Sequence, residues 1–158
     1  MAAIIIIMAL YNQLPFTSQP FSCDMPPRPV LQAIILADHV YEDMHSGKKV
    51  IAGTFCEMAA VSFPSKYNRG AFLFISLTEF QGKLPITIEY VDLVRNETLL
   101  EFGDIIAFAN TPLETCELVV ELPELPLPRP GTYAFEVYLY DVPLGSFRFV
   151  VSVGQEPE

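Results

Sequence analysis

Residues 131–153 read GTYAFEVYLYDVPLGSFRFVVSV. Apolar residues recur at every second position: Tyr133, Phe135, Val137 and Leu139, then Phe147, Phe149, Val151 and Val153. Thr132, Glu136 and Tyr138 interleave with the first set, and Ser146, Arg148 and Ser152 with the second. Successive side chains of a strand point to opposite faces, so this period predicts two strands that each bury one face. Between them, residues 141–145 (DVPLG) carry the Asp, Pro and Gly of a tight turn.

The same signal extends toward the N-terminus. In residues 116–122, Cys116, Leu118, Val120 and Leu122 alternate with Glu117 and Glu121. In residues 85–93, Ile86, Ile88 and Tyr90 alternate with Thr87 and Glu89. Residues 30–41 (VLQAIILADHVY) and 71–80 (AFLFISLTEF) are apolar on both faces, as expected of strands covered on both sides. Residues 42–48, with Ser46-Gly47 at the tip, turn the first of these back into a strand over 49–55, which predicts a hairpin. Residues 56–61 (CEMAAV) are expected to continue that strand through a bulge, with a short helix as the competing reading. Residues 62–70 read as a loop punctuated by Pro64 and Gly70, while 81–83 and 95–97 read as turns. Residues 99–108 read as a strand interrupted at Gly103-Asp104. Residues 123–130 (PELPLPRP) are too rich in proline for a helix or a central strand. Strong strands flank them, so they read as a stiff crossing between sheets rather than a polyproline ligand. Strand signals recur about every ten residues with no amphipathic helix between them. The expected fold is all-β: a two-sheet antiparallel β-sandwich, immunoglobulin-like or Greek-key.

The chain has 158 residues, a net charge of −10 and 51% apolar residues. That length suits one domain. Nine basic residues, scattered, are too few to neutralise a phosphate backbone, so nucleic acid is excluded as a partner. No apolar run reaches the roughly 18 residues of a membrane-spanning helix. Cys23, Cys56 and Cys116 are widely spaced and form no C-x-x-C pair. This pattern fits a reducing, cytoplasmic setting, with Cys116 a small buried hydrophobe. Residues 1–28 are expected to lie outside the folded unit. They begin MAAIIIIMAL and contain no basic residue before Arg28, so the positive charge of an export signal is missing. They read as a flexible extension, or as sequence ahead of a true start at Met25; an export signal in residues 1–24 is the remaining alternative. The sandwich is expected over residues 29–154, with an acidic tail at 155–158.

Two regions resemble a known family. One is Ala33-Ile34-Ile35-Leu36-Ala37-Asp38, followed by Ser46-Gly47-Lys48 and Gly53-Thr54-Phe55. The other is Leu127-Pro128-Arg129-Pro130-Gly131-Thr132-Tyr133-Ala134-Phe135-Glu136-Val137, followed by Leu144-Gly145. Together they look like a small, functionally uncharacterised family of bacterial single-domain β-sandwich proteins, over roughly residues 29–153. The resemblance implies a fold and no activity. The Pro-Gly-Thr-Tyr segment is also similar to a strand start in immunoglobulin-like sandwiches, where a tyrosine bonds back to backbone. By that likeness Tyr133 is structural; Asp38, in the hairpin, and Gly53 and Gly131 are also read as structural. The Cys…Trp…Cys core of antibody domains is absent, since the chain has no tryptophan.

The catalytic inventory is thin. There is no G-x-S-x-G elbow, no dinucleotide or phosphate loop, and no assignable carboxylate pair. The expectation is a non-enzyme with no cofactor. His39, Asp43 and His45 are the only candidate metal ligands, with imidazole and carboxylate suited to zinc or iron. The same residues are ordinary in a hairpin turn, and the turn breaks their shared parity. The aromatics point elsewhere: Phe72, Phe74 and Phe80 share one parity, and Tyr138 and Tyr140 lie on a nominally outward face. A sandwich covers one face of each sheet, so these residues form a candidate interaction surface. The expected function is a protein-interaction module or homo-oligomer; a metal- or small-ligand-binding sandwich using residues 38–45 is the alternative. An acidic surface favours basic or neutral partners.

Overall fold

The computed structural model describes residues 28–154. β1 (Val30–Glu42), β2 (Lys49–Thr54), β5 (Ala71–Thr78) and β8 (Cys116–Leu122) form one sheet in the order β2-β1-β5-β8. β3 (Glu57–Ala60), β6 (Gly82–Asp92), β7 (Glu97–Ala109), β10 (Gly131–Leu139) and β11 (Val142–Val153) form the other, in the order β3-β11-β10-β6-β7. A third, minor ladder pairs β4 (Ser65–Tyr67) with β9 (Leu125–Leu127).

The alternating residues meet between the two sheets. Leu36, Leu73, Ile75 and Leu77 come from the first sheet; Ile86, Ile88, Tyr90, Tyr133, Phe135, Val137, Phe149 and Val151 come from the second. None of the twelve exceeds 1% exposure, so each contributes close to its full burial energy, about 1.5–3 kcal/mol for an aliphatic or phenyl side chain. Four aromatic rings form the centre. The Tyr90 ring lies 5.6 Å from Tyr133, 5.3 Å from Phe135 and 6.0 Å from Phe149. Such offset pairs add about 0.5–1.5 kcal/mol each beyond burial.

The connectivity is immunoglobulin-like. β1, β5 and β8 correspond to strands A, B and E, while β6, β10 and β11 correspond to C, F and G. The Tyr133 hydroxyl donates to the Arg129 carbonyl at 2.7 Å, closing the tyrosine corner at the start of F. Phe135, two residues later, stands where antibody domains carry their second cysteine, and Tyr90 is on the strand where they carry tryptophan.

The proline-rich segment does cross from one sheet to the other, and it is held at several points. The Tyr90 hydroxyl donates to the Pro126 carbonyl at 3.0 Å. Arg129 Nε donates to Asp92 Oδ2 at 3.0 Å, and Arg129 Nη2 donates to the same oxygen. Asp92 Oδ1 accepts the Val94 and Arg95 amides at 2.9 and 3.2 Å. A side chain on Gly131 would bring a Cβ to 3.0 Å from Val94 Cγ2, so the bare residue keeps the two neighbouring connections in contact.

Several local expectations need correction. The sandwich is not wholly antiparallel: β3 runs parallel to β11, with Glu57 opposite Val150 and Ala60 opposite Val153. Residues 56–61 therefore neither extend β2 nor form a helix. The chain leaves the first sheet after Thr54 and joins the second, with Cys56 oxygen accepting the Val150 amide at 3.0 Å. The loop at 62–70 contains β4, and the proline crossing contains its partner β9, in which Pro126 sits opposite Lys66. The interruption at Gly103-Asp104 is a bulge within one long strand, with Asp104 at φ 60°. The last turn is only Tyr140-Asp141, and Pro143 already belongs to β11. Val153 is 64% exposed rather than inward, because β11 ends there beside the short edge strand β3. Cys116 faces the core but is half-buried. At the domain limits, Arg28 donates to the Pro143 carbonyl and Gly154 to the Ala60 carbonyl. The extension expected at 1–28 lies outside the described residues except for Arg28, as does the tail at 155–158.

Gly53 and Asp38 pack against each other. They lie opposite each other across the β1–β2 ladder, and Gly53 has φ 69°. A Cβ at Gly53 would stand 2.5 Å from Asp38 Oδ2. Gly53→Ala is expected to lower stability by about 2 kcal/mol, from left-handed backbone strain and this clash. Adding Asp38→Ala removes the carboxylate from the clash, leaving the Cβ contact at 3.0 Å and the backbone cost of about 1–2 kcal/mol, so part of the loss is recovered, a non-additivity that urea unfolding of both variants measures.

Asp92 supplies a second expectation. Burial raises its pKa, but the Arg129 guanidinium and the Arg95 and Val94 amides outweigh burial and hold the carboxyl below its ordinary range. Its stabilising contribution is therefore present above about pH 4 and is lost as pH falls through the lowered value. Asp92→Ala should cost about 3 kcal/mol near neutrality, because it strands the partly buried Arg129. Its acid-induced loss of stability should be shallower than that of the wild type, as followed by urea midpoints between pH 7 and pH 3.

Candidate functional site

The hairpin after β1 is built as a turn. Asp43 accepts the His45 amide at 3.1 Å and the Ser46 hydroxyl at 2.6 Å, and the Ser46 bond lowers its pKa first, the His45 bond second. The Gly47 amide returns to the Asp43 carbonyl at 2.8 Å. His45 is exposed, and exposed His39 lies with its ring 6.5 Å from Phe72 on the outer face of the first sheet. Among the described residues, no group of three or more His, Cys, Asp or Glu side chains is arranged to hold a metal ion. Asp43 orients its own loop, and the two imidazoles are not brought together with it as a ligand set.

The aromatic candidates fall in different places. Phe80 is 3% exposed and belongs to the core, which corrects its assignment to a surface. β5 ends at Thr78, and Glu79, with φ 63°, breaks the parity that linked Phe80 to Phe72 and Phe74. Phe74 is buried at 6% and lies between Ile35 and Val119 across the ladders, so it too is not a surface residue, while Phe72 beside it is half-buried. Tyr138 is half-buried on the outer face of the second sheet and donates to the Glu136 carboxylate. That bond, aided by burial and the Glu136 and Glu89 charges, pushes its pKa up to about 12. Tyr140 is exposed at the β10–β11 turn.

Two other features stand out. The first is the margin of the second sheet. β7 is its terminal strand, and Ile106 and Phe108 are 51% and 54% exposed. Between and after them, Ala107 and Ala109 are buried, so the large side chains of this segment point outward and the small ones inward. Ile106 and Phe108 lie opposite Pro85 and Lys83 on β6, and toward the start of β7 the same sheet carries a row of carboxylates, with Glu136 opposite Glu89 and Glu89 opposite Glu101. The outward alternation of large residues with inward alanines was the available sequence signal.

The second is a cleft of about 360 Å³ at one end of the sandwich, between β1, β3 and the segment running through β4 to Arg69. Met58 and Leu127, both buried, form part of its base. Phe55 and Tyr67, with rings 6.1 Å apart, form an aromatic wall. Asp38, Glu57, Lys66 and Arg69 are its charged lining residues. Burial raises the Tyr67 pKa, the Asp38 charge raises it further, and Arg69 lowers it. Glu57 accepts the Ser152 hydroxyl at 3.0 Å, and Lys66 pairs with Glu124 at 3.0 Å. Asp38 and Arg69 take part in no ion pair or side-chain hydrogen bond among the described residues. The lining contains no imidazole or thiol. Sequence reading placed Asp38 but missed Tyr67 and Arg69, which lie in a segment read only as loop.

No curated protein matches the chain. Among solved structures it is similar to an immunoglobulin-like protein from Pseudomonas aeruginosa, at 15% sequence identity and a TM-score of 0.40. That likeness covers 80% of this chain and 98% of the other. A family model matches residues 32–152, from the third residue of the A-like strand to the last but one of the G-like strand. The chain therefore belongs to a family of unknown function, DUF6941.

Proposed function

We propose that this protein is a non-enzymatic interaction module that accepts an extended segment of a basic or neutral partner protein along β7. The observation that carries this reading is the exposure of Ile106 and Phe108 on a terminal strand. An edge strand presents unpaired amides and carbonyls, and an added strand satisfies them while alternate side chains give selectivity. The other three edges of the two main sheets are less suited. β3 has four residues and β2 six, whereas β7 has thirteen. On β8, exposed Val119 is flanked by Glu117 and Glu121.

Charge favours a different chain over a second copy. The Glu136-Glu89-Glu101 row crosses the same sheet toward the start of β7, Lys83 is the one charge directly opposite the two anchors, and every copy carries a net charge of −10. Like charges brought together oppose association, whereas lysine or arginine next to apolar residues meets both features. Among the described residues Cys56 and Cys116 form no disulfide, in keeping with a reducing compartment.

A peptide of alternating valine and lysine provides the test, with an alternating valine–glutamate peptide as control. The lysine peptide is expected to slow hydrogen exchange of the backbone amides of residues 105–109, and the control is not. Ile106→Ser with Phe108→Ser should weaken binding about tenfold or more, since two half-buried anchors are lost. Protection confined to another edge, or equal binding of both peptides, would overturn the proposal. So would a peptide-free dimer that the double substitution dissolves, because it assigns the edge to a second copy.

A further inference from the structure

The end cleft holds two opposite charges that, among the described residues, make no ion pair or side-chain hydrogen bond. Asp38 stands on β1 and Arg69 on the connection between β4 and β5, and the charges of both reach the Tyr67 hydroxyl in the same lining. They are not within ion-pair distance of each other, whereas the other two charged lining residues already have partners in Ser152 and Glu124. The absence of a side chain at Gly53 is what leaves room at Asp38 Oδ2, where a Cβ would otherwise stand at 2.5 Å. Beside these charges, Phe55 and Tyr67 offer an aromatic wall over a base of Met58 and Leu127. The volume, about 360 Å³, lies at the small end of the range that takes small molecules.

We propose that this cleft binds a small zwitterion with an apolar side chain, its ammonium at Asp38, its carboxylate at Arg69, and its side chain against Phe55 and Tyr67. Carboxylate recognition is the natural task of a guanidinium fork, and an ammonium next to both a carboxylate and aromatic faces gains charge pairing and cation–π attraction. Free α-amino acids and short peptides share this chemistry and differ in the spacing of their two charges.

Calorimetric titration of the full chain with L-phenylalanine and with the dipeptide phenylalanyl-glycine tests the site and separates the two sources. Saturable binding of one or both is expected, and the tighter ligand identifies which charge spacing the cleft takes. Phenethylamine and 3-phenylpropionate, which each carry one of the two charges, should bind at least about tenfold more weakly. Asp38→Asn and Arg69→Gln should each weaken binding by a similar factor, whereas Lys66→Gln should change it less than about threefold. Arg69 is exposed in a connection, so its variant remains informative if Asp38→Asn perturbs folding. The proposal is overturned if neither zwitterion saturates, if a singly charged analogue binds as tightly, or if Arg69→Gln binds like the wild type.

Discussion

A carboxylate without solvent contact must be answered by donors, and Asp92 is answered by Arg129 through two nitrogens and by the amides of Val94 and Arg95. Its position makes this more than a local matter. Asp92 ends β6, and Arg129 stands at the end of the crossing that carries the chain from the first sheet into β10. The Arg129 carbonyl also accepts the Tyr133 hydroxyl. One residue therefore fixes the crossing to β6 through its side chain and to β10 through its backbone. The stacked rings of Tyr90, Tyr133, Phe135 and Phe149 lie on the strands so aligned. Without that anchor, a segment containing Pro123, Pro126, Pro128 and Pro130 has few backbone donors with which to hold itself.

The molecule's polar and apolar resources are distributed unevenly around this core. The second sheet is acidic where Glu136, Glu89 and Glu101 lie side by side, and turns apolar further along the terminal strand, at Ile106 and Phe108. The cleft at the Asp38 end is mixed in charge and partly aromatic. These are different recognition surfaces. An edge strand selects by backbone pairing and alternate side chains, whereas a cleft selects by size and the position of charges.

Much of the architecture was legible because a strand's period is a local property. Tyr133, Phe135 and Val137 declare their inward face within five residues, and the hairpin from β1 to β2 follows from Ser46-Gly47. Tyr133 was legible as a corner residue from the Pro-Gly-Thr-Tyr segment. β3 was not, because EMAA has no strong strand preference, and its parallel partner β11 lies at the other end of the domain. Phe80 was misplaced for a similar reason: parity was carried past Glu79, whose left-handed backbone ends the strand. Of the cleft, only Asp38 was legible, since Tyr67 and Arg69 meet it across sequence separated by two strands and a change of sheet.

The amino-acid sequence by itself determined an acidic all-β sandwich and the inward residues of most strands. Those features follow from alternation, turn chemistry and composition, which act over a few residues. Tertiary structure alone decided that β3 pairs in parallel, that Phe74 and Phe80 are buried while Ile106 and Phe108 are exposed, and that Asp38 shares a cleft with Arg69. Which strand becomes an edge, and which charge finds a partner, depends on contacts between segments far apart in the chain, and no local periodicity encodes them.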